Sequence, residues 1–240
     1  MKGTEAFTGD TNLPGSKYMP VARRHFVSFL LAVGLVGLFS AWVLIVGQSK
    51  VSQQAIASSV IRTPMLVERA WHLPVAATFN RQITWQSNIS RCGPAAVANA
   101  YRSLGDAAIT EDKVLAGTGW CWTGLCILGL SLDELSEVAL AHTSRKVTTL
   151  RDLTEDQFQQ HLRYANDLTR RYIVNFSRDK IFGAGVGHYS PIGGYFEPED
   201  LVFILDVNPD YGPWLVERKR LFDAVNTLDG NKKRGLLLIE

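Results

Sequence analysis

The chain has 240 residues, of which 46% are hydrophobic, 25 are Lys or Arg, 23 are Asp or Glu, and three are Cys. That apolar content excludes a disordered chain and suits one cored domain with an appendage. Three cysteines exclude a disulfide-built scaffold, and a formal charge of +2 gives no case for binding nucleic acid. The excess charge is local. Lys2, Lys17, Arg23 and Arg24 face only Glu5 and Asp10 within residues 1–47, and the rest of the chain holds 21 basic and 21 acidic residues.

Residues 1–25 read as a polar tail on the cytoplasmic side. Residues 26–47 (FVSFLLAVGLVGLFSAWVLIVG) carry no charge and are long enough, at 1.5 Å per helical residue, to cross a bilayer. Basic residues before the run set the orientation, with the remainder exported. A cleaved signal peptide has a shorter apolar region than this, so an uncleaved signal anchor is the favoured reading. The Arg23-Arg24 pair also fits a twin-arginine export signal loosely. Residues 48–70, small and polar, read as a stalk, which leaves 71–240 as the globular domain.

Within that domain, Pro94 at an early helical position and Gly105 just past the end mark a helix over 93–104 with Cys92 at its N-terminus. Ser131 caps a second amphipathic helix over 131–141. Thr154, followed by Glu155 and Asp156, opens a third over 154–167. Residues 172–176, 188–195 and 201–207 are short β-rich runs bounded by Gly, Pro and Asp. A helix over 219–228 and a strand over 236–239 follow. Helices before strands predict an α+β fold with an antiparallel sheet.

The chemistry centres on Cys92. A helix N-terminus lowers a thiol pKa and so favours the nucleophilic thiolate. His188, at the start of a predicted strand, is the candidate base. Asp206, at the end of the apolar run LVFILDV, is costly to bury unless paired, and an adjacent antiparallel strand can set it beside His188. Gln86, six residues before Cys92, is the candidate oxyanion donor together with the Cys92 N–H. Cys121 and Cys126 leave three options open: a short disulfide, a reduced pair, or a soft-metal contact.

Cys92-Gly93, the stretch from Gly187 to Tyr195 (GHYSPIGGY) and Ile204-Leu205-Asp206-Val207 together resemble the catalytic domain of phytochelatin synthases over roughly residues 75–240. The resemblance implies a papain-like fold in which glutathione acylates the catalytic Cys and glycine leaves. Water or a second glutathione then takes the γ-glutamylcysteinyl group. Carried over, Cys92 is the nucleophile, His188 the general acid/base, Asp206 the orienting carboxylate and Gln86 the oxyanion donor. Asn175 and Arg178 match a substrate-contacting stretch, with Gly187 and Tyr189 alongside, and Arg178 suits a glutathione carboxylate. No metal-ligand set is assigned and no cofactor is required; a heavy-metal ion (Cd or Zn) is compatible as activator or as a metal–glutathione thiolate substrate. A homodimer is left open.

Two features depart from the plant pattern. Pro94 follows Cys92-Gly93, and the Cys-rich region of eukaryotic members does not follow the domain in this sequence. The expectation is therefore mainly deglycylation of glutathione, with transfer minor, on the extracytoplasmic face of the inner membrane. Competing readings are another Cys-His-Asp peptidase of the leader-peptide type and a non-catalytic anchored module binding thiol peptides or metal.

Overall fold

The computed structural model describes residues 29–38, 51–122, 124, 126 and 129–240. The chain forms two compact units, Met1–Gly47 and Gln48–Glu240. In the first, residues 29–38 are helical (α1), with their large apolar side chains exposed. The rest of the expected anchor over 26–47 lies outside the described residues. Among the described residues no helix is long and apolar enough to cross a membrane.

The second unit begins earlier than its composition suggests. The segment read as a stalk over 48–70 contains α2 (Gln53–Ser59) and most of α3 (Pro64–Trp71). Ser52 caps α2 by accepting from the Ala55 N–H, and Pro64 opens α3 where a missing N–H costs nothing. Ile56 is fully buried, Val51 and Val60 join the same core cluster, and Ile61 pairs with Leu215 through two backbone hydrogen bonds. The stalk reading is thus corrected. Its apolar residues are interspersed with polar ones, and Val51, Ile56, Val60 and Ala70 are the ones that bury.

α4 (Pro74–Thr78) and an extended segment lead to α5 (Cys92–Ser103), which starts one residue before its sequence estimate and is buried through Tyr101. α6 (Glu111–Leu115) and α7 (Leu132–Leu140) follow. α7 is closed at its start by a reciprocal capping box between Ser131 and Glu134. β1 (Val147–Leu150) leads to α8 (Glu155–Tyr164), which Thr154 and Gln157 cap in the same way. α8 stops at Ala165, short of the predicted 167.

β2 (Arg171–Ser177), α9 (Arg178–Phe182), β3 (Gly187–Phe196), β4 (Leu201–Leu205), β5 (Pro213–Glu217), α10 (Arg218–Val225), the small hairpin β6 (Leu228–Asp229) and β7 (Lys232–Lys233), and β8 (Leu236–Ile239) complete the unit. Six strands make one sheet in the order β1-β8-β2-β3-β4-β5, every pairing antiparallel. The α+β class with an antiparallel sheet therefore stands.

Helices cover both faces of this sheet. α2, α8 and α10 share a core with Val174, Phe176, Ile204 and Trp214, while α5 and α7 share one with Ile173, Tyr189 and Leu237. α3 and α4 close the far end over Phe203, Leu205 and Leu215. A bulge in β3 falls at Gly193-Gly194. A Cβ on Gly193 would lie 2.8 Å from the Phe203 ring, and Gly194 sits at φ +151 against Asn166. The glycine pair is what lets the strand bend there.

Candidate active site

Register sets the first contact. Ile192 pairs with Ile204 across β3 and β4, and two-residue alternation carries that face back to Ser190 and His188 on one strand and on to Asp206 beyond the other. His188 and Asp206 thus become diagonal neighbours on one face, 18 residues apart in sequence. The His188 Nε2–Asp206 Oδ1 distance is 2.8 Å, with His188 1% exposed and Asp206 fully buried. The Asn208 N–H donates to Asp206 Oδ1 at 2.9 Å and Trp214 Nε1–H to Oδ2 at 3.2 Å. Both carboxylate oxygens are therefore occupied, and the buried charge is paired.

With Nε2 committed to Asp206, Nδ1 is the ring nitrogen left for Cys92. Cys92 opens α5, where its own N–H has no intrahelical acceptor. Burial pushes its thiol pKa up. The charge of His188, a hydrogen bond to that ring, the Tyr189 N–H and the charge of Arg178 outweigh this, and the net shift is downward. In His188, burial and Arg178 favour the neutral ring, yet Asp206 and the Cys92 thiolate prevail and its pKa is raised. Burial likewise opposes ionisation of Asp206, and His188, Arg178 and the Asn208 N–H hold its carboxyl below the usual value. These three directions agree on a thiolate–imidazolium pair backed by a carboxylate.

Gln86 lies in the segment before the helix, tied by its backbone N–H to Val207 O, one residue past Asp206. Its side-chain Nε2 donates to Asn88 O at 2.8 Å. A primary amide carries two N–H groups, so one remains for a substrate oxygen.

The sequence-assigned substrate contacts divide. Asn175 is fully buried, with both amide N–H groups engaged. It donates to Tyr189 Oη and Asp229 Oδ2 and accepts from Arg234 Nη1 at 2.8 Å. It supports Tyr189, whose hydroxyl donates to Leu130 O at 3.0 Å, and has no donor left for a ligand. Arg178 is no surface residue. It is 7% exposed, lies 4.1 Å over the Tyr211 ring and 3.7 Å from Asp206, and keeps Nε and Nη2 without hydrogen-bond partners. A buried guanidinium with free N–H groups is the arrangement an anionic substrate group would complete. Gly187 faces Arg234, where any Cβ would fall within 2.2 Å of Nη1.

Sequence reasoning assigned no role to Trp214, Asn208 or Arg234. Trp214 in an apolar strand reads as core, and only the fold aims its indole N–H at Asp206. Cys121 and Cys126 form a disulfide, which settles the choice left open among three states. Among the described residues no three His, Cys, Asp or Glu side chains cluster to hold a metal ion.

The family model for phytochelatin synthase matches residues 46–236. The chain belongs to the phytochelatin synthase family. Among curated relatives, glutathione gamma-glutamylcysteinyltransferase 2 of Arabidopsis thaliana is 35% identical over 173 residues, covering 64% of this chain and 37% of that protein. Glutathione gamma-glutamylcysteinyltransferase 1 of Triticum aestivum is 37% identical over 173 residues, covering 64% and 33%. The Schizosaccharomyces pombe glutathione gamma-glutamylcysteinyltransferase is 27% identical over 117 residues, covering 47% and 28%. The chain thus spans about a third of the length of the curated relatives it matches. The peptidase domain of Streptococcus ComA, described as a bi-functional ABC transporter in a quorum-sensing pathway, overlays with a TM-score of 0.46 at 18% identity, covering 66% of this chain and 96% of that one.

Proposed function

We propose that residues 48–240 are a papain-like thiol enzyme that releases glycine from glutathione through a γ-glutamylcysteinyl thioester on Cys92. The observation that carries this is the buried Cys92–His188–Asp206 alignment in a chain of this family. The Cys92 thiolate attacks the carbonyl carbon of the cysteinyl–glycine amide, and the C=O electrons move to oxygen. The Cys92 N–H and the second Gln86 N–H receive that oxyanion. The tetrahedral adduct expels the amine of glycine, which takes the proton from His188 Nδ1, and a thioester remains. His188 then accepts a proton from water or from the amine of a second glutathione as that group attacks, and Cys92 leaves as thiolate. Water gives γ-glutamylcysteine; a second glutathione gives the phytochelatin bond. We favour hydrolysis as the main outcome.

Arg178 supplies the positive charge for a substrate carboxylate, and Asn175 and Tyr189 form the supporting wall. A metal ion enters this scheme as a thiolate complex of the substrate. We further propose that residues 26–47 anchor the protein in the inner membrane with this domain outside. The uncharged run and the basic residues preceding it support that orientation, and a disulfide suits the oxidising side.

Incubation of the protein with glutathione, with glycine and γ-glutamyl peptides followed by mass spectrometry, tests the activity. Glycine release abolished by Cys92→Ala is expected. No release by the wild type sinks the activity, and release that survives Cys92→Ala sinks the mechanism. Product length with and without cadmium separates hydrolysis from transfer. A reporter active only outside the cytoplasm, fused after Glu240, tests the topology.

A further inference from the structure

The disulfide loop touches the domain at a revealing place. The Gly124 carbonyl, inside the ring closed by Cys121 and Cys126, accepts from Asn88 Nδ2 at 3.2 Å and from Arg91 Nε at 3.0 Å. The Cys126 N–H donates to Ser90 Oγ at 3.1 Å. Ser90 in turn donates to Asn88 Oδ1 through its N–H at 3.0 Å and its hydroxyl at 2.7 Å. Asn88 is therefore held on three sides, and its own carbonyl is the acceptor that orients the Gln86 amide at 2.8 Å. Three residues after Asn88, Arg91 precedes the nucleophile directly.

Cys126 and Leu130 anchor this segment in the core, with Trp120 and Cys121 packed against it. Gly117, Gly119, Gly124 and Gly129 all adopt positive φ, as does Cys121 at φ 55, and a glycine at such a position has high backbone freedom when unconstrained. Trp122 is 87% exposed, whereas Cys126 is buried in the cluster that contains Cys92. The cross-link closes a short ring around Gly124 and removes the freedom that this glycine confers, and the polar contacts of Gly124 and Cys126 pass the constraint to the 86–91 turn.

We propose that the Cys121–Cys126 disulfide, acting through Asn88, is the positioning device for the oxyanion donor Gln86, so that the site turns over at full rate only while the bridge is oxidised. This rests on the role given to Gln86 above. The reductant is a thiol of the substrate's own class. Two glutathione thiols give up two electrons and two protons and become one disulfide, and the Cys121–Cys126 bond takes them up and becomes two thiols. The reduced-to-oxidised ratio of the thiol pool then tunes the enzyme that consumes it.

The test compares oxidised and phosphine-reduced wild type. The phosphine takes an oxygen from water to become its oxide, and the S–S bond breaks to two thiols that carry the two hydrogens of that water. Two substrates are used. S-methylglutathione cannot exchange with a disulfide and reports glycine release. p-Nitrophenyl acetate acylates Cys92 without any glutathione specificity, and the acetylated Cys92 peptide is counted by mass spectrometry. Loss of an oxyanion donor costs about 10²–10³ in kcat, so a loosened one is expected to cost about tenfold or more, with KM within about threefold. Acylation of Cys92 is expected to slow by a similar factor. Asn88→Ala is expected to start at the slow rate while oxidised and to respond no further to the phosphine.

Unchanged acylation after verified reduction of both cysteines overturns the proposal. So does loss of the far-UV spectrum on reduction, because the bridge would then hold the domain rather than the turn. Multiplicative effects of Asn88→Ala and reduction overturn it as well. Slowed acylation in a protein that releases no glycine from either glutathione compound supports the clamp and refutes the glutathione reading alone.

Discussion

Asp206→Asn is the sharpest probe of the site. Asp206 is fully buried and its oxygens meet His188 at 2.8 Å, the Asn208 N–H at 2.9 Å and Trp214 Nε1 at 3.2 Å. The amide is nearly isosteric and can still accept from His188, but it removes the charge that stabilises the imidazolium. At about 4 Å between charge centres and an effective permittivity near 20, that attraction is about 4 kcal/mol. Part is returned because the neutral pair avoids desolvation, leaving about 3–4 kcal/mol, or about 10²–10³ in kcat/KM.

The sign with pH follows from the directions of shift. A raised His188 and a lowered Cys92 keep the ion pair populated between their two pKa values. Without Asp206 the His188 pKa falls, so the alkaline limb of activity moves down and the plateau narrows from that side. The Asp206 carboxyl is itself depressed. Its contribution to stability is present above the unfolded carboxylate pKa and is lost as pH falls through the folded value, so Asp206→Asn removes that part of the acid unfolding response. The assay is glycine release across pH, paired with the pH dependence of Cys92 alkylation. A variant within about threefold of wild type, with an unshifted alkylation profile, refutes the ion-pair reasoning.

Three further outcomes are expected. Gln86→Ala should lower kcat by about 10–10³ while Cys92 alkylates at the wild-type rate, because the thiolate pair is untouched; a parallel loss of alkylation would assign Gln86 a different role. Ile56→Ala should cost about 2–5 kcal/mol in denaturant unfolding of the 48–240 unit, since Ile56 is fully buried in α2; no change would restore a free stalk over 48–70. Gly187→Ala should raise KM more than it lowers kcat, because the new Cβ displaces the Arg234 guanidinium that Asn175 and Asp229 hold; an unchanged KM would separate that network from substrate binding.

Much of this was legible in the residues, and for local reasons. Ser131 with Glu134 and Thr154 with Gln157 encode helix starts in four residues each, and both caps formed. β2, β3 and β4 announced themselves as short β-rich runs bounded by Gly, Pro and Asp. β1 (VTTL) and β5 (PWLVE) did not, because each is too short for its alternation to stand out. Cys92 before a Gly-Pro helix start and Asp206 at the end of an apolar run were each conspicuous, since each is costly unless it has a partner. Asn175 was carried over as a substrate contact from the family resemblance. Only packing showed both of its N–H groups already spent on Tyr189 and Asp229, with Arg234 on its oxygen.

The sequence by itself marked the starts of α5, α7 and α8, the antiparallel class and the candidate chemical trio, because capping, alternation and the cost of burying charge act over a few residues. Which partner each group meets was decided by tertiary structure alone. The register of β3 on β4 brings His188 to Asp206, β5 aims Trp214 at the same carboxylate, α2 folds back onto the domain, and the disulfide loop reaches the turn ahead of Cys92. Those contacts join residues from 8 to more than 150 positions apart, and only three-dimensional packing specifies them.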